Sequence, residues 1–367
     1  VDRIQALQAE LAKNGQRGAV ITSMETIRYL TGHYVWTSYS PTTFMVVPAT
    51  GSAALFVPEG DDTLARLMSR IGVEPYNPGA RAFATAATLS RQRLGKDGQS
   101  NGRVGVEWGA LTVDRFEPLR EAFSGWTLED VTPHVYRLRM VKDGDEQLAF
   151  KNSAYLMGHA MRTTAAAIAA GASELEIKGM FDHALYAEAS RKWPEAMAVA
   201  QTNVLSGDRL SRLHDAAHGR AIRAGETVWV LSHAHLNGYW ANISRNLFAP
   251  GGSPDSDVLR AQEAVVDAQR AAVARLVPGE PLKNASTAAH DALAKHGLLE
   301  KKVYGIFRGL GLRYDEPPKD ADLDTVLQAG MCLCVAVHVR LPKLIVGQGD
   351  SVLIAAKGPE IVSQAQA

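Results

Sequence analysis

GETVWVLSHAHLNGYWANISRNLF, residues 225–248, is the stretch from which the rest of the chain is read. Residues 227–231 form a β-branched and aromatic run that suits a pleated sheet. Asn237-Gly238 follows, a pair suited to a tight hairpin because glycine tolerates the positive φ such turns demand. A second strand is expected over about 239–247. His233 and His235, spaced two apart, point to one face of the first strand. Tyr239 and Trp240 are adjacent, so only one of them can face the same way.

With 367 residues the chain is long for one core and comfortable for two domains. Its 46% hydrophobic and 21% charged residues describe a globular protein, neither disordered nor fibrous. Lys plus Arg and Asp plus Glu number 39 each, so no global field draws in nucleic acid or an anionic membrane, and a small molecule is the expected partner. Cys332 and Cys334 lie on an apparent strand and read as buried thiols rather than as a disulfide or metal pair. No apolar run approaches the ~20 residues that span a bilayer. The first residues, VDRIQALQAELAKNG, lack the apolar segment of a signal peptide, so a cytoplasmic location is expected.

Helical spacing of Ile4, Leu7 and Leu11 opens the chain. Strands at GAVITS, SAALFVP and RVGVEW then alternate with helices, giving an α/β domain over residues 1–133 with Pro133 as its boundary. The second domain, 134–367, is expected to carry helices over 144–170, 173–191, 256–276 and 284–297. Its strands are expected near 197–205, 227–247, 303–314, 331–339 and 351–356.

Collinear motifs give this order a family likeness. YLTG at 29–32, LRMVKDGDEQLAFKNSA at 138–154, LSGDRLSRLH at 205–214, FRGLGLRYDEPP at 307–318 and AGMCLCVAV at 329–337 resemble, in order, segments of the pita-bread superfamily. The resemblance is to its creatinase, prolidase and aminopeptidase P branch. It implies an α/β (α+β) protein with a creatinase-like amino-terminal domain, a carboxy-terminal pita-bread domain and a homodimer. The metallopeptidases of that family hold two divalent ions on two aspartates, a histidine and two glutamates. Carried over by the resemblance, those positions fall on Leu231, Asn242, Arg308, Ala336 and Gly349. Leucine, alanine and glycine offer no ligand atom and arginine is a permanent cation, so no cofactor or metal is expected.

The same resemblance places the proton-shuttling histidine of creatinase on His214. A histidine can serve as base and then acid in one turnover; the other reading is a residue kept for hydrogen bonding. Arg308 suits a clamp on a substrate carboxylate, or a structural pair with Asp315 or Glu316. Asp315 suits orientation of His214 or capture of an amine. His233 and His235 suit either hydrogen bonding in the pocket wall or one relocated metal ion. Asn242 is expected to hold substrate, Tyr239 to line a wall, and Trp36 and Tyr39 to cap the pocket across a dimer interface or to pack within the first domain. The expected activity is metal-independent hydrolysis of a C–N bond in a small anionic metabolite. A lyase, a mononuclear-metal enzyme and an inactive binding or scaffold protein are the alternatives.

Overall fold

The computed structural model describes residues 2–34, 42–95 and 101–364. Trp36 and Tyr39 lie outside them. The chain divides into two compact units, Val1–Arg139 and Met140–Ala367. Pro133 is therefore not the boundary. It sits in the first turn of a helix, Thr132–Met140, where its missing N–H breaks no helical bond.

In the first unit, strands β1 (Gly18–Ile21), β2 (Phe44–Pro48), β3 (Ala54–Pro58), β4 (Val73–Tyr76), β5 (Gly102–Val106) and β6 (Trp126–Asp130) form a mixed sheet in the order β4-β3-β2-β1-β5-β6. Helices α1 (Arg3–Lys13), α2 (Met24–Thr31), α3 (Asp62–Met68), α4 (Ala82–Leu94), α5 (Val113–Ala122) and α6 (Thr132–Met140) accompany it. Glu107 is buried there, taking the Thr26 hydroxyl at 2.6 Å, and burial lifts its carboxyl to about 7.

The second unit begins with α7 (Gly144–Ala167) and α8 (Glu174–Lys192), each opened by a capping box, Asp143 with Glu146 and Ser173 with Glu176. Strands β7 (Ala198–Ser206), β8 (Thr227–Leu236) and β9 (Tyr239–Phe248) follow, then α9 (Ser256–Val273) and α10 (Leu282–Lys295). The chain closes with β10 (Phe307–Gly309), β11 (Glu316–Lys319), β12 (Cys332–Arg340), β13 (Ile345–Ala355) and β14 (Gly358–Ile361). One antiparallel sheet in the order β11-β10-β12-β13-β9-β8-β7 carries β14 as an extra partner of β13.

Alternation divides the central hairpin between two environments. Val228, Val230, Ala234, Leu236, Ala241 and Ile243 enter the core that also holds residues of α7 and α8. Trp229, Leu231, His233, Asn242 and Ser244 line the opposite side. Asn237 and Gly238, at φ 52° and 91°, make the turn that fixes this register, in which His233 faces Asn242 and Leu231 faces Ser244. The strand expected over 303–314 shrinks to β10. Where it begins, the backbone N–H groups of Ile306 and Phe307 donate to the Asp320 carboxylate at 2.9 Å each instead of to a strand. No helix among the described residues is long and apolar enough to cross a membrane.

Candidate active site

The concave side of the sheet encloses a cavity of about 620 Å³. Leu231 and His233 from β8, Asn242 and Ser244 from β9, and Cys334, Ala336 and His338 from β12 line it, with Arg308 from β10. His214, Tyr304, Tyr314, Asp315 and Asp320 come from the connecting segments. The sequence expectation thus brings His214, Arg308, His233, Asn242 and Asp315 to one cavity.

His214 rides on a loop fixed by buried charge. Glu174 pairs with Arg209, both buried, and also accepts the backbone N–H and the hydroxyl of Ser206 at 2.8 Å each. Arg209 reaches on to the Ala216 carbonyl at 2.6 Å and to Asp215 at 3.1 Å. Arg220 adds a two-pronged contact to Glu226 at 2.6 and 2.8 Å and another to Ser206 at 2.7 Å. The exposed His214 ring stands edge-on to Tyr304, centroids 5.2 Å apart, with no hydrogen-bond partner among the described residues.

Arg308 forms no ion pair with a described residue. Its Nε is buried without a partner among the described residues, and where burial pushes the Cys334 thiol up, the Arg308 charge holds it down. The pairing considered with Asp315 does not form, because Asp315 bonds Lys319 at 2.8 Å. Glu316 is buried and accepts the Arg313 N–H at 2.8 Å.

Two further expectations are corrected. His235 does not line the cavity: it is buried, accepts the Gly238 N–H at 3.0 Å and packs edge-on to Trp240, so it braces the turn. Tyr239 faces the helical core and donates to Glu146 at 2.6 Å. Trp240 is the aromatic on the His233 side, 5.6 Å from Tyr314. Asn242 lines the cavity with its two amide N–H groups turned to Ser232 and His233, and its oxygen, which takes the Cys334 thiol, keeps one acceptor site.

Sequence reasoning missed Tyr304, Tyr314 and His338. Tyr314 stacks on His233 with centroids 5.0 Å apart. Tyr304, at φ 62°, presents its ring to both His214 and His338. Burial, then the charges of Arg308, His214 and Lys302, lower His338 to about 4. Its ring occupies the space above Gly347, where a Cβ would come within 2.1 Å of Cδ2. Alternation held the signal for His338, since it shares a strand face with Ala336.

The sequence pattern of metallopeptidase family M24 matches residues 149–356, and that of the creatinase/prolidase N-terminal domain matches residues 3–141. The chain belongs to family M24. Within M24 it lies in the creatinase and prolidase branch. It is similar to a probable dipeptidase PepE of Mycobacterium tuberculosis, 27% identical over 358 residues that cover 93% of this chain and 88% of that one. A creatinase of a Bacillus species is 24% identical over 284 residues, 74% of this chain and 68% of the relative. The solved prolidase of Pyrococcus horikoshii OT3 superposes with a TM-score of 0.86 at 22% identity, covering 100% of this chain and 99% of that one.

A pair of divalent ions, implied for an M24 metallopeptidase, does not fit this donor set. Leu231 and Ala336 present no donor atom, Arg308 is cationic and Asn242 offers only a neutral amide oxygen already shared with the Cys334 thiol. At Gly349 a Cβ would meet the Ser244 hydroxyl at 2.8 Å and the Ala336 Cβ at 3.0 Å. No group of three or more His, Cys, Asp or Glu among the described residues is placed to hold a metal ion.

Proposed function

We propose that this M24 chain is a hydrolase that acts without a resident metal on a C–N bond, amide, ureido or cyclic amidine, of a small carboxylate-bearing metabolite. The observation that carries this reading is Arg308, a cation in the cavity wall that forms no ion pair with a described residue. A guanidinium drawn out of water is stabilised by an anion, and its planar fork matches a carboxylate. The cavity stays open around Leu231 and Ala336 rather than collapsing on them, which favours a ligand over an inert scaffold. The dipeptidase and creatinase names of the relatives favour hydrolysis.

His214 carries the proton traffic in this reading. For an amide, water adds to the carbonyl carbon while His214 takes a water proton. The C–N bond then breaks as His214 returns that proton to the leaving nitrogen, giving a carboxylic acid and an amine.

A thermal-shift screen of carboxylate-bearing amides and ureido compounds tests the reading. A ligand at a hundredfold excess over its Kd raises the stability of the wild type by about 2.7 kcal/mol. Arg308→Ala abolishes that rise, His214→Gln leaves it while stopping turnover, and dialysis against a chelator changes neither. Stabilisation that survives Arg308→Ala, or turnover that needs added metal, overturns the proposal.

A further inference from the structure

Asn242, Cys334 and His233 form a hydrogen-bond chain with a fixed direction. The buried Cys334 thiol donates to Asn242 Oδ1 at 3.1 Å. The amide nitrogen of Asn242 lies 3.4 Å from the Ser232 carbonyl and 2.9 Å from His233 Nδ1. Turning the amide over would set oxygen against the Ser232 carbonyl oxygen, so the nitrogen stays on the His233 side. Nδ1 therefore accepts, and the proton of the neutral ring sits on Nε2. Nε2 has no partner among the described residues, and the ring lines the cavity with Tyr314 stacked on it.

We infer that His233 is a catalytic residue, a permanently uncharged donor whose Nε2–H holds the oxygen on which charge develops as the C–N bond is attacked. This rests on the reading given above, and it replaces with a hydrogen bond the polarisation that a metal ion would otherwise supply. Burial, followed by the charge of Arg308, lowers His233 to about 3, so the ring does not charge near neutrality. A donor of this kind is set in place before the reaction and gives up no proton during it. It stabilises an oxyanion while His214 handles the protons. The arrangement also gives Asn242 and Cys334 a role: together they fix which nitrogen of His233 is protonated.

The test separates the tautomer from ligand binding. Imidazole nitrogen NMR of the full chain is expected to show His233 protonated on Nε2 alone and unchanged over about pH 5 to 8. Asn242→Asp is expected to draw the proton to Nδ1 or charge the ring. With N-acetylglycine as the probe, the His233 Nε2–H resonance moves on binding. His233→Phe weakens that binding about three- to tenfold, the loss of one hydrogen bond, and His233→Gln, which keeps an N–H in reach, restores it. Protonated Nδ1 in the wild type, or probe binding that His233→Phe leaves intact while Arg308→Ala removes it, overturns the inference and spares the anion site. Binding that neither substitution weakens, or none at all, overturns both.

Discussion

Tyr304 holds a backbone conformation that suits glycine, at φ 62°, in order to place its ring 5.2 Å from His214 and 5.8 Å from His338. A left-handed residue with a side chain costs about 1–2 kcal/mol, more if it is β-branched. Tyr304→Gly relieves that cost and is expected to lose less than about 1 kcal/mol of unfolding stability in urea, whereas Tyr304→Val loses about 2 kcal/mol or more. A glycine variant less stable than the valine variant would contradict the strain argument. In turnover, Tyr304→Gly is expected to lower kcat rather than raise KM, since it frees the His214 ring and leaves Arg308 in place. The positions of His214, Arg308 and His233 were legible in the sequence because a collinear motif or a strand alternation located each. Tyr304 was not, since nothing in VYGIF signals a tyrosine with positive φ; nor were the hydrogen bonds of Asn242 and Asp315, which depend on partners brought together by folding.

Elements transmit these constraints. The β8–β9 hairpin was legible almost to the residue, because Asn237-Gly238 fixes the turn and period-two alternation fixes the faces. Its wrong details were His235 and Tyr239, one folded back on its own turn and the other assigned to the wrong face. Gly238→Val forces a β-branched residue to φ 91° and is expected to cost about 1–3 kcal/mol in chemical denaturation, with loss of His233 alignment. The loop that carries His214 depends on the buried Glu174–Arg209 pair. Glu174→Ala leaves the buried guanidinium with only the half-exposed Asp215 for a counter-charge, an expected loss near the lower end of about 3–5 kcal/mol, and Glu174→Gln a smaller one. Calorimetry of the two variants checks the order. The element that escaped sequence reading was 303–314, where an aspartate side chain competes for the backbone N–H groups a strand would use.

Across the whole molecule, buried imidazoles and a buried carboxyl are expected to answer acid in opposite ways. His233 and His338 in the second unit sit at about 3 and about 4, below their ordinary value. Beneath about pH 6.5 the unfolded chain takes up protons that these folded rings refuse. Each then lowers the stability of its unit by up to about 1.4 kcal/mol per pH unit, until its own folded value is reached. Glu107 in the first unit is raised to about 7, so its sign is reversed: its contribution is whole below about pH 4.5 and is lost as the pH climbs to about 7. His33 in the first unit is lowered by burial and opposes Glu107, so amide exchange between about pH 5 and 7 is expected to show protection rising with pH in the second unit and changing less in the first, after correction for intrinsic exchange. A first-unit slope as steep as the second's would contradict the assignment.

The imidazole of His338 standing over Gly347 has a historical consequence. A side chain at position 347 would meet that ring at 2.1 Å, so the ring has to move or be replaced before one fits. A smaller residue at 338 is thus expected to open the way to substitution at 347, which couples the two positions in the order of their change.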